Sequence, residues 1–98
     1  MAILIIHQGA DWNADLYDQA MERVIPDQSD PPEGMVASFA APGENGGLRV
    51  VDIWESQGAW ERFRDDTLIP GIQEMQGPPF TSEISELHNK IVSETVTA

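Results

Sequence analysis

Residues 49 to 63, RVVDIWESQGAWERF, decide the fold of this chain. Val50, Val51, Ile53 and Trp54 are β-branched or aromatic, the residue types that favour a strand. Ser56 then offers a helix cap, and Trp60, Phe63, Thr67 and Leu68 behind it recur at helical spacing. One residue sits awkwardly. Alternation along the strand Leu48–Trp54 places Asp52 on the face of Leu48, Val50 and Trp54. An unpaired charge there costs several kcal/mol, so the carboxylate must find hydrogen-bond partners or take up a proton.

Upstream, Ala2 to Ile6 followed by His7-Gln8-Gly9 reads as a first strand, stopped by the glycine. Asp11 or Asn13 caps a helix whose Leu16, Tyr17, Ala20, Met21 and Val24 share one face. Pro26 ends that helix, and PDQSDPPEG leads into a second strand, Met35 to Ala41. Asn45-Gly46 supplies the positive φ angles of a tight hairpin, so Leu48–Trp54 pairs antiparallel with its predecessor. Downstream, Pro70-Gly71 breaks or kinks the second helix, Ile72 and Met75 continue it briefly, and Gly77-Pro78-Pro79 closes it. Phe80 to Val92 reads as a long, more polar last strand, and 93–98 as a flexible tail.

The order βαββαβ predicts one ferredoxin-like α+β domain over 1–92, a four-stranded antiparallel sheet with both helices on one face. A sheet with one wet face should alternate apolar and polar residues. The first strand does not, because Ile3, Leu4, Ile5 and Ile6 are apolar on both sides, and Val50 to Trp54 behave similarly. Two helices leave one face uncovered, a larger patch than soluble monomers tolerate. The expectation is a homodimer packed sheet against sheet about a two-fold axis, completing an α+β barrel.

Composition narrows the partners. A length of 98 residues fits one domain. Five Lys and Arg against seventeen Asp and Glu give a net charge of −12, which argues against nucleic acid and anionic membranes. The absence of cysteine removes disulfides, thiolate metal sites and cysteine nucleophiles. The apolar run Met1 to Ile6 is short for a signal peptide or a membrane span and lacks a basic flank, so a cytoplasmic location is expected. The two histidines have no ligand spacing, and no phosphate loop, GxSxG or HExxH is present, so neither metal nor cofactor is expected.

A strand reading VVDIWES that leads into GAWERF, within βαββαβ, resembles the dimeric α+β barrel superfamily and most closely its antibiotic-biosynthesis-monooxygenase-like branch. The resemblance spans roughly Ala2 to Val92. It implies a pocket between sheet and helices in each subunit, with the sheets forming the dimer core. The superfamily hosts cofactor-free oxygenases, haem-degrading enzymes, lactone isomerases and polyketide cyclases, so the fold alone does not choose among them. Its haem-degrading members use an asparagine on the first strand and a tryptophan and a histidine on the second helix. Here the first strand is aliphatic before His7, Phe63 stands where the tryptophan would be, and no histidine lies between Gln8 and Leu87.

Three residues are candidate general bases: His7, Asp52 and His88. His7 shares a face with Ile3 and Ile5, and His88 follows Ile84 and Glu86 along the last strand. With the first strand between the third and the fourth, all three can meet near one end. A neutral imidazole beside a carboxylate is a competent base. The structural alternative is an Asp52 that caps a helix, accepts an indole N–H or pairs with an arginine, and histidines that are merely satisfied or exposed. Trp54, Trp60, Phe63 and Tyr17 are core residues or the aromatic walls of an apolar pocket, with Ser38 a further polar candidate. Trp12 suits a rim, a lid or a staple, and Arg62 and Arg64 suit surface pairs with Glu61, Asp65 or Asp66. The resulting expectation is a cofactor-independent monooxygenase that binds a small aromatic or polyketide-like molecule and acts by proton abstraction. The alternatives are an isomerase or cyclase with the same first step, and a non-catalytic binding or interaction module.

Overall fold

The computed structural model describes residues 1–43 and 46–93. Strands β1 (Ile3–Gly9), β2 (Met35–Pro42), β3 (Leu48–Trp54) and β4 (Thr81–Glu86) form one antiparallel sheet in the order β2-β3-β1-β4. Helix α1 (Ala14–Val24) follows β1, and a helical run of α2 (Gln57–Phe63), a π turn (Arg64–Leu68) and α3 (Ile69–Glu74) follows β3. This is the ferredoxin-like α+β arrangement that the element order predicts.

Local chemistry starts both helices. Asn13 Oδ1 accepts the Leu16 N–H at 2.8 Å, and Ser56 Oγ accepts the Ala59 N–H at 3.1 Å. From there α1 turns Ala20 and Val24 inward, α2 turns Ala59 and Trp60, the π turn Leu68, and α3 Ile72. These residues cover Ile3, Ile5 and Trp54 on one side of the sheet. Trp54 and Ile5 are wholly buried, which stabilises the fold by about 1.5–3 kcal/mol each.

Past Pro70-Gly71 the second helix continues briefly, as expected, through Glu74. Ahead of Pro70 the register widens, the Ile69 N–H bonding to the Arg64 carbonyl five residues back, and Pro70 falls in the first turn of α3. The π turn accommodates a proline inside the run by absorbing the hydrogen bond that Pro70, lacking an N–H, cannot make. Gly71 is buried, and a Cβ on it would stand 2.6 Å from Val24 Cγ1, so its bare backbone lets α3 lie against α1.

The last strand is shorter than expected. It ends at Glu86, opposite Ile3, because β1 offers no partner further on; the Leu87 N–H makes one more bond, to the Ala2 carbonyl at 3.0 Å. β1 runs to Gly9 as expected, with His7 in the sheet. In the β2–β3 turn, Asn45 lies outside the described residues, while Gly46 and Gly47 adopt φ of 83° and 72°. The expected tail lies outside them too, apart from Ser93.

The outer face of the sheet is apolar across three strands. Phe39, Val51 and Ile6 form one row, and Ala37, Ile53 and Leu4 the next. Phe39 is 66 % exposed, and the other five are half-buried. Among the described residues, no helix is long and apolar enough to cross a membrane.

Candidate functional site

Between the inner face of the sheet and the helices lies a cleft of about 90 Å³. Its lining is largely apolar, with His7, Tyr17, Ser38 and Asp52 as the polar exceptions. Strand register builds the polar group. Ser38 on β2 stands opposite Asp52 on β3, and His7 on β1 lies between Val50 on β3 and Ser82 on β4.

Asp52 is 5 % exposed and His7 8 %. Three donors converge on the Asp52 carboxylate. The Ser38 hydroxyl reaches Oδ1 at 2.7 Å, while His7 Nε2 and the Trp54 indole N–H reach Oδ2 at 3.1 and 3.3 Å. An acceptor-only carboxylate requires the proton of a neutral His7 to sit on Nε2. His7 Nδ1 is then a lone pair, and it accepts the Ser82 hydroxyl at 2.7 Å. The Trp60 and Phe80 rings hold the imidazole in place, with centroids 5.1 and 5.8 Å away.

Asp52 therefore answers both readings offered for it. It accepts an indole N–H, as a structural acid would, and it also faces an apolar cleft, as a functional one must. Tyr17 faces the same cleft from α1. Its own burial, followed by the negative charges of Asp52 and then Asp18, pushes its phenol above the ordinary tyrosine range. The phenol thus stays a hydrogen-bond donor.

Trp60 and Phe63 line the cleft as expected, and Trp54 does not. Trp54 stands behind them, 5.7 Å from Trp60 and 5.3 Å from Phe63 between ring centroids, and holds Asp52 in place. Trp12 is buried at one end, its Nε1–H donating to the Pro78 carbonyl at 2.8 Å, so it is a fixed wall.

His88 is not brought to this group. It is exposed and follows the end of β4, near Ile3, whereas His7 sits toward the other end of β1. The residue that β4 does contribute is Ser82, which the sequence reading overlooked. Its signal was legible: Ser82, Ile84 and Glu86 share a strand face, and pairing Ile84 with Ile5 sets Ser82 beside His7. On the surface, Arg64 pairs with Asp65 at 2.8 Å. Among the described residues, no three His, Asp or Glu side chains are grouped to hold a metal ion.

No family model matches the chain, and no curated protein does either. Solved structures do match. A mutant of SnoaB, a cofactor-independent oxygenase from Streptomyces nogalater, superposes with a TM-score of 0.65 at 7 % identity, over 94 % of this chain and 97 % of that one. A monooxygenase from the gene ActVA-Orf6 of Streptomyces coelicolor, in complex with nanaomycin D, gives 0.59 at 14 % identity, over 95 % and 92 %. The chain thus shares its fold with these two proteins. The same fold is found in NE2512 of Nitrosomonas europaea, a protein of unknown function, with a TM-score of 0.65 at 15 % identity over 94 % and 93 %. Identities this low establish a common architecture, and the chemistry has to be argued from the side chains.

Proposed function

We propose that this chain is a cofactor-independent monooxygenase that takes a proton from a small aromatic or polyketide-like molecule, with Asp52 as the base. The observation that carries the reading is a carboxylate 5 % exposed that nevertheless lines an apolar cleft. Two proteins that share the fold, SnoaB and the ActVA-Orf6 monooxygenase, support the choice of oxygenation.

In this scheme the aromatic walls of Trp60 and Phe63 hold the ring, and Asp52 removes a proton from an activated C–H. The Tyr17 phenol donates to the oxyanion that develops as charge spreads into the substrate. The carbanion adds to dioxygen, the peroxide anion recovers the proton from Asp52, and loss of water leaves a carbonyl. His7, Ser38 and Trp54 keep the carboxylate oriented throughout. A cleft of about 90 Å³ falls below the roughly 300 Å³ of ordinary ligand sites. It suits a single ring, and Met21 and Met35 in its lining have the flexibility to admit a larger one. A second copy of the chain packed on the outer sheet face would cover both apolar rows, Phe39 included.

Oxygen uptake with an anthrone or an electron-rich phenol tests the reaction. Uptake that is unchanged by chelators is expected. Product formed equally without air would make the protein an isomerase or cyclase, and saturable tryptophan quenching with no product in either atmosphere would make it a binding module.

A further inference from the structure

We propose that Ser82 is a nucleophile and that the protein carries an ester-cleaving activity on the far side of His7 from the cleft. Ser82 Oγ lies 2.7 Å from His7 Nδ1, and His7 Nε2 lies 3.1 Å from Asp52 Oδ2. The direction of both bonds is set by Asp52. Its carboxylate keeps the proton on Nε2 and so presents the Nδ1 lone pair to the serine hydroxyl. A nucleophile, a base in hydrogen-bond reach and a third group orienting that base make up the acyl-transfer arrangement, here with the two ring nitrogens exchanged.

Ser82 opens onto a separate hollow of about 610 Å³. Trp60, Phe80 and Ile84 give that hollow apolar walls, and Arg64 and Gln73 bring side-chain donors to it. The substrate class that fits is an ester of a small apolar acid. His7 Nδ1 takes the hydroxyl proton as Oγ bonds to the ester carbonyl, and the oxyanion is met by Gln73 and by Arg64 Nη1, the guanidinium nitrogen that does not hold Asp65. The alcohol leaves with the proton from Nδ1, and Ser82 is left acylated. Water, deprotonated by the same nitrogen, then releases the acid and restores the serine. None of this requires dioxygen chemistry in the cleft.

Incubation of the full chain with p-nitrophenyl butyrate, and separately with a fluorophosphonate, tests the proposal. A p-nitrophenol burst approaching one equivalent and a single phosphonyl group mapped to Ser82 are expected. Ser82→Ala should lose both, whereas Ser85→Ala, on the opposite face of the same strand, should keep both. Asp52→Asn should slow the burst by about 100-fold. Ser82→Cys provides a check that does not depend on the alanine variant folding: its thiol should react with iodoacetamide at least about ten-fold faster than that of Ser29→Cys, in the exposed loop before β2. Label on another residue, no label, butyrate hydrolysis unchanged in Ser82→Ala, or equal thiol reactivities would each overturn the proposal. Oxygen uptake reports on the cleft alone, so either reading can fail without the other.

Discussion

On β3, Val51 and Ile53 point to one face of the sheet while Asp52 and Trp54 point to the other. The inner face carries His7 and Asp52 in the most enclosed part of the molecule, and the outer face carries Phe39, Ile53 and Leu4 where water reaches them. Each face thus holds the residues that the other would ordinarily want. The inner polar groups satisfy one another, and no buried side-chain nitrogen or oxygen among the described residues lacks a partner. Among the described residues, nothing covers the outer rows in the same way. A single copy completes the inner face, and the outer one is where the second copy proposed above would pack.

The largest effect should come from breaking the inner face at its centre. Asp52→Ala removes the acceptor of three donors and should destabilise the fold by about 3 kcal/mol or more, read from urea midpoints. On the outer face, Phe39→Asp should leave each subunit folded and raise the dimer dissociation constant by at least about 100-fold, measured by sedimentation. A smaller loss is expected from Trp12→Phe, which gives up the bond to the Pro78 carbonyl for about 1 kcal/mol.

The finest probe is Tyr17, the only tyrosine in the chain. Its folded value lies above its unfolded one, so its contribution to stability is present below about pH 10 and is lost as pH rises through the folded value. Tyrosinate absorbance should therefore appear above the ordinary range, and Asp52→Asn should bring it part of the way back.

The sheet was legible because strong β-formers, a glycine hairpin and two capping residues all agreed on it. The uncovered outer rows were legible as well, since Ile3 to Ile6 break the alternation that a wet face requires. The brief continuation of the second helix past Pro70 was legible from Ile72 and Met75, but the π turn that carries it was not, because no residue pattern announces such a turn. His88 illustrates a different limit. It was read as part of a longer last strand, but that strand stops at Glu86 because its length is fixed by where β1 begins, and that is a property of the partner. The same register placed Ser82 beside His7, and the bias toward titratable residues passed over a serine.

The most direct test of the functional account is the rate of oxygen uptake by Asp52→Asn with an anthrone, at a protein concentration where circular dichroism shows the native fold. The account predicts measurable uptake by the unaltered chain and a fall of at least about 100-fold in the variant. Equal rates in the two proteins would contradict it.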